Sequence, residues 1–211
     1  MKVNQPKIPN DLEERVFADV LNDEYKELYS AIIKNAEFTN ERFYGMQLNQ
    51  TIIKNSNFSN SDLSGLDLSD VVFENCDFSN ANLSKSSFIR VRFKDCKLLG
   101  INLSESYIGH THFQTSILTM GMFGETKLEQ FYFEESTLEN ADFFDCIIKE
   151  AVFDLCNIDS INFRETSMKS TDISTSEFNS IMVSMENLKG CTVSRFQAIY
   201  FATLLGLKIK E

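Results

Sequence analysis

From Ile33 to Val193 an apolar residue stands at every fifth position, 33 times without a break: 14 Phe, 10 Leu, 6 Ile, 2 Val and 1 Met. The chain is 43% hydrophobic, so chance would produce such a run on the order of once in 10^12 trials. A helix repeats every 3.6 residues and a strand every 2, and a period of five fits neither. Unbroken short periods belong to solenoids, in which each unit buries its apolar face only against its neighbours.

A second column lies two residues before each large one and is mostly small: Ala31, Ala36, Ser56, Ser61, Cys76, Ala81, Ser86 and Cys96. A chain that buries two residues in five must turn a corner once per unit. Four corners close a square, so twenty residues make one coil, and successive coils join through parallel ladders about 4.8 Å apart. Gly45, Gly65, Gly100 and Gly190 fall at the corner position, where a positive φ is useful. Pro6 and Pro9, the only prolines, lie outside the repeats, as a ladder that needs every amide requires. Stacking by twenty puts Ala36, Ser56, Cys76, Cys96, Ser116, Ser136, Cys156 and Ser176 in one vertical line, a tight interior corner. The expected fold is an all-β solenoid, a four-sided parallel β-helix.

The segments "NCDFSNANLS" and "SNSDLSGLDLS" resemble the pentapeptide repeat family over residues 31 to 193. That resemblance implies a right-handed quadrilateral β-helix.

Three regions follow: 1–30 as an N-terminal helical cap, 31–193 as the β-helix, and 194–211 as a C-terminal helix and short strand. In residues 10–30 the five-period gives way to Leu12, Val16, Val20 and Leu28 at helical spacings, with Asn10 or Asp11 placed to cap, predicting a helix or helical pair over the open bottom. At the other end Ser194 is an N-cap candidate and Gly206 a stop. The helix between them is apolar on more than one side, so Phe196, Ile199, Tyr200, Phe201, Leu204, Leu205, Leu207 and Ile209 are the candidate surface for a homodimer. After Gly206 the alternating "LKIK" reads as an edge strand able to pair across a twofold axis.

The formal charge is −11, and residues 125–165 alone carry −8 of it. Their carboxylates, Glu125, Glu129, Glu134, Glu135, Glu139, Asp142, Asp145, Glu150, Asp154, Asp159 and Glu165, avoid the inward columns and form a belt about two coils, or ~10 Å, tall. Duplex DNA presents ~6 phosphates over that length. Lys85, Arg90, Arg92, Lys94 and Lys97 show that the wall is not acidic by default. A basic partner surface fits the belt, and direct binding of nucleic acid does not.

All five cysteines, Cys76, Cys96, Cys146, Cys156 and Cys191, sit in the small inward column and read as buried thiols. His110 and His112 lie outside the inward columns and read as solvated, with no third nitrogen ligand for a metal. With no histidine placed to activate a nucleophile and no hollow interior, the chain is expected not to be an enzyme and to need no cofactor. "MKVNQPKIPNDLEERVF" has no apolar core of a leader peptide and nowhere do 18 apolar residues run together, so a cytoplasmic protein is expected.

The tail "SRFQAIYFATLLGL", through Ser194, Gln197, Ala198, Leu205 and Gly206, resembles the C-terminal segment of the Qnr and MfpA group. The resemblance implies a rod-shaped homodimer that binds DNA gyrase and topoisomerase IV as a mimic of duplex DNA and protects them from quinolones. The unbroken frame leaves no room for the projecting loops of several Qnr proteins and is similar to the Qnr-type chains of Gram-positive cocci. The alternative is a structural or scaffolding repeat protein with another partner.

Overall fold

The computed structural model describes residues 3–22 and 24–210. Its elements are β1 (Glu13–Arg15), α1 (Phe17–Asn22), β2 (Glu27–Tyr29), β3 (Ala31–Lys34), β4 (Gln47–Lys54), β5 (Asp67–Glu74), β6 (Ser87–Lys94), β7 (Tyr107–Gly109), β8 (His112–Gln114), β9 (Lys127–Glu134), β10 (Ile147–Asp154), β11 (Ile161–Asn162), β12 (Thr171–Asp172), β13 (Ile181–Met182) and α2 (Arg195–Leu204). Every pairing is parallel, and β4 to β6 align residue by residue at a shift of twenty, Ile53 on Phe73 and Phe73 on Phe93. From β4 to β10 two sides of the coils are ladders. The other two are held by single bridges at the same shift, such as Asn57 to Asp77 and Asp62 to Asn82. About eight coils stack into a four-sided parallel solenoid.

Ring stacking follows the ladder. Phe73, Phe93, Phe113, Phe133 and Phe153 form a column with centroids 4.9, 5.0, 4.8 and 5.1 Å apart, the ~4.8 Å spacing of paired strands. A neighbouring column meets it edge-on, Phe123 against Phe133 at 88°, the geometry that ring quadrupoles favour.

The small column is more than a space filler. At each corner the amide of one coil needs a partner, and the hydroxyl twenty residues on accepts it: Ala36 N donates to Ser56 Oγ at 3.0 Å, Cys96 N to Ser116 Oγ at 3.1 Å, and Ser116 N to Ser136 Oγ at 3.0 Å. Ser136 Oγ in turn donates to Glu134 O at 2.8 Å. Serine and threonine therefore continue the ladder round the bend, where a buried amide left alone would cost about 1–3 kcal/mol. Glu41 and Glu186, the only charged members of this column, sit near the two ends, and both are exposed.

From Ser30 to Ser170 every corner residue adopts positive φ, and glycine supplies only a few of them. Asparagine fills many others, including Asn35, Asn55, Asn60, Asn75, Asn80 and Asn140 at φ between 51° and 58°, because its short amide tolerates the left-handed region better than most side chains.

The N-terminal end corrects the sequence reading. The described residues of 10–30 hold one short helix flanked by strands, β1, the six-residue α1 and β2, in place of a helical segment running through the whole stretch. The repeat starts one unit earlier than expected, since Leu28 already pairs with Leu48 in the twenty-residue register. β1 is out of step, with Glu13 opposite Ala31. The capping role survives in two residues: Val20 is fully buried, and Phe17 packs edge-on against Phe38 and Phe58 at 4.9 and 5.1 Å. Val16, expected on the packed face, is 63% exposed. Asn10 and Asp11 lie too far upstream to cap a helix that starts at Phe17.

Ahead of β1 the chain runs up the outer wall. Lys7 N donates to Asp70 Oδ1 at 2.8 Å, and Asn4 Nδ2 lies 3.3 Å from His110 Nε2. Asp70 is buried and is clasped by Arg90 through two bonds of 2.6 and 2.7 Å.

Candidate partner-binding surface

None of the eleven belt carboxylates is buried, as an origin in the outward columns dictates. Twenty-residue register distributes them round the rod. Glu134, Glu135 and Asp154 share the side built by β8, β9 and the end of β10, Glu139 and Asp159 the next, Glu125, Asp142, Asp145 and Glu165 the third, and Glu129 and Glu150 the fourth. The belt therefore encircles the rod. At one corner of the third side Glu105, Glu125, Asp145 and Glu165 stand in consecutive coils, an acidic ladder with ~4.8 Å steps.

Pairing separates this region from the rest. Lower on the rod acids meet bases: Asp70 with Arg90 at 2.6 Å, Glu74 with Lys54 at 2.7 Å, Asp77 with Lys97 at 3.3 Å and Glu105 with Lys85 at 3.7 Å. Most of the basic group noted in the sequence is thus locally neutralised. Within the belt, among the described residues, only Glu129 has a lysine partner, Lys149 at 3.3 Å, and only Glu134 a histidine, His112 at 3.1 Å. Neutral donors hydrogen-bond others. Asp154 accepts Tyr132 Oη at 2.7 Å, and the amides of Ser180 and Asn179, each 2.8 Å away, hold Asp159 below the usual carboxylate range.

His110 and His112 differ. His112 is not solvated as its outward column suggested; it is 8% exposed, stacked on Tyr132 at 4.8 Å and in register with Arg92. A flat column of large side chains makes its own wall. Burial lowers the His112 pKa, the Glu134 carboxylate opposes that, and the Arg92 charge adds to it. His112 Nδ1 and Arg92 Nε are both buried without a partner. A folded pKa below the unfolded ~6.5 means the unfolded chain binds the proton more readily, so stability is full above that value and falls as pH drops through it toward the folded pKa. His112→Asn is expected to lower the melting temperature slightly at about pH 8 and to flatten its decline between about pH 7 and about pH 5 relative to the unsubstituted chain. An unchanged slope would show that His112 is not the titrating group.

The C-terminal helix closes the rod by a mechanism only partly visible in its apolar stripe. Ser194 and Gln197 form a reciprocal capping box. Gln197 also sends Nε2 inward to Ile173 O and Ser176 O, both at 2.8 Å, satisfying carbonyls that the last coil leaves open. Phe201, read from sequence as interface, is instead 6% exposed and packs on Phe178. Tyr200 is half-buried, its Oη accepting Ile181 N at 3.3 Å. Phe196, Ile199, Leu204, Leu205, Leu207 and Ile209 remain exposed. Residues 207–210 form no strand, because a strand needs a partner edge and the chain offers none there.

Four of the thiols are buried, and burial pushes Cys146 up to about 12 and Cys156 up to about 11, far from nucleophilic use. Among the described residues no group of three His, Cys, Asp or Glu side chains is placed to hold a metal ion, and no helix is long and apolar enough to cross a membrane. A groove of about 710 Å³ runs between α2 and the wall, lined in part by Glu139, Asp159, Glu177, Phe178 and Phe196, acidic and aromatic with no basic group.

A family model described as pentapeptide repeat region matches residues 66–143, and one described as SV2A/B/C luminal domain matches residues 14–103. No curated protein matches the chain. Among solved structures, a trypsin-treated form of QnrB1, a plasmid-mediated fluoroquinolone resistance protein, is similar at 16% identity and a TM-score of 0.43, over 85% of this chain and 100% of that one. Full-length QnrB1 is 15% identical with a TM-score of 0.33 over 84% and 100% of the two chains. HetL, a pentapeptide repeat protein involved in heterocyst differentiation regulation from the cyanobacterium Nostoc sp., is 14% identical with a TM-score of 0.23 over 79% and 91%. Residues 66–143 thus match the pentapeptide repeat region, and the coil register of the structure continues beyond that segment in both directions.

Proposed function

We propose that this protein is a non-catalytic DNA mimic that binds DNA gyrase or topoisomerase IV in the cytoplasm and protects them from quinolones, as a homodimer without cofactor. The observation that carries the reading is the belt of carboxylates, of which only Glu129 meets a lysine and Glu134 a histidine among the described residues, so that unneutralised charge is available to a DNA-binding saddle. The resemblance of the tail to the Qnr and MfpA group supplies the target. If two rods join through the outer face of α2, the belts flank the twofold axis as two acidic bands.

The test is a gyrase supercoiling assay with and without a quinolone, run on the full chain and on a Phe196→Glu, Leu204→Glu variant. Both positions are exposed, so the inward cap of Gln197 and Phe201 stays in place. The full chain is expected to scatter light as a dimer and to relieve quinolone inhibition; the variant is expected to be a folded monomer with protection reduced at least about tenfold. A monomeric full chain, or one that leaves gyrase untouched, would refute the reading. The encircling layout of the belt favours, as second reading, a scaffold that presents acidic sides to some other basic partner.

A further inference from the structure

The belt coils are not purely acidic. Met120, Met122 and Phe144, 59%, 41% and 41% exposed, lie among the carboxylates on and beside the third side of the rod. Their columns hold polar or small residues elsewhere. Above and below Met120 stand Asn80, Gly100 and Asn140; around Met122, Asn82, Asn102, Asp142 and Asn162; around Phe144, Ser84, Ser104, Gly124 and Arg164. Met120 occupies a corner at φ +59, a conformation that asparagine and glycine adopt with less strain. A bulky residue held there while mostly exposed gains no core burial. Local rules broken without a folding return mark functional surface. Gly124 lies one coil below Phe144 and leaves the wall beside the ring bare, while Glu125, Asp142 and Asp145 border the patch with no basic partner among the described residues.

We infer that this patch seats an amphipathic α-helix of a partner protein, one whose apolar stripe is flanked by arginine or lysine. The inference rests on the reading of the belt as a partner surface and names the part of a partner that meets it. Dimensions agree: two coils rise ~10 Å, the width of a helix with its side chains. Three large apolar side chains, each two-fifths or more exposed, lie close together here, the kind of apolar patch that marks functional surface on soluble proteins. Carboxylates on the borders select basic flanks and repel phosphate surfaces, so neither nucleic acid nor an anionic membrane suits it. The apolar anchors add what charge mimicry alone lacks, a contact that salt does not screen.

The chain contains no tryptophan, so a peptide with one tryptophan in its apolar stripe reports its own burial. The probe is a helix-forming peptide of about 18 residues with leucines and the tryptophan on one face and arginines on its flanks. Its control has the same composition in scrambled order. The full chain is compared with Met120→Asn, Met122→Asn, Phe144→Ser, each a residue found in the same column lower or higher on the rod, and with Ile147→Ser, Leu155→Asn on other parts of the belt. The full chain is expected to shift the emission of the helical peptide to the blue; the triple variant is expected to weaken binding at least about tenfold at an unchanged or higher melting temperature, and the other variant by less than about twofold. Equal binding of the scrambled peptide, or of the triple variant, would overturn the inference and leave charge alone as the attraction. Gyrase binding measured on the same three proteins separates the two readings: a full chain that binds the helical peptide at this patch but not gyrase refutes only the topoisomerase assignment.

Discussion

Phe93→Asp is expected to leave no folded rod. Phe93 is fully buried and stacked between Phe73 and Phe113, with planes 14° and 4° from parallel, and meets Phe78 edge-on at 6.0 Å. Truncation to alanine would by itself cost about 3–5 kcal/mol through lost burial and the cavity left behind. Domains of this kind keep only about 5–15 kcal/mol of net stability. A carboxylate at that point adds an unpartnered charge in a column of rings, and each coil depends on its neighbours for its own core. Circular dichroism and a thermal melt decide the outcome. A Phe93→Asp protein with the parent's β-type spectrum and melting temperature would mean that the five-residue frame is wrong, whereas Ser59→Ala on the outer wall should leave both nearly unchanged.

The opposite profile is expected when Glu134, Glu135, Glu139, Asp142 and Asp154 are changed together to their amides. Shape is kept, and the amide oxygens still accept from Tyr132 Oη at Asp154 and from Phe144 N at Asp142. Melting should hold or improve, because none of the five has a lysine or arginine ion-pair partner among the described residues and Glu134, Glu135 and Asp154 share one side of the rod. Gyrase binding is expected to fall on the order of a hundredfold, and the unsubstituted chain should lose affinity steeply with salt where the amide variant does not. Unchanged binding with an intact fold would reduce the belt to a solubilising surface.

The solenoid was legible because its period is dictated by burial: two inward residues in five leave no freedom for another register, and the Phe columns stack where the twenty-residue spacing puts them. The first coil was not legible, since β1 pairs at a shift of eighteen and α1 is too short to display a helical period. Ser194 announced the start of α2 through its capping box, but the direction faced by Phe201 could not be read from a helix that is apolar on several sides. His112 was misjudged by treating an outward column as solvent; Tyr132 one coil away covers it. The belt was visible as a stretch of sequence, and its partition over four sides follows only from coil register.

A solenoid is nearly one-dimensional: each coil feels the next, and disorder begins at an end and travels inward. The segment before β1 breaks that rule. Asn4 and Lys7 touch His110 and Asp70, which stand two coils apart on one column, and three extended residues reach ~10 Å, the height of two coils. The segment through Asn4 and Lys7 is thereby fastened to the middle of the rod. Fraying of the lowest coils must then either drag this tether from the buried Asp70 and Arg90 pair or close a loop around it, so the weakest end of the array shares the fate of its centre.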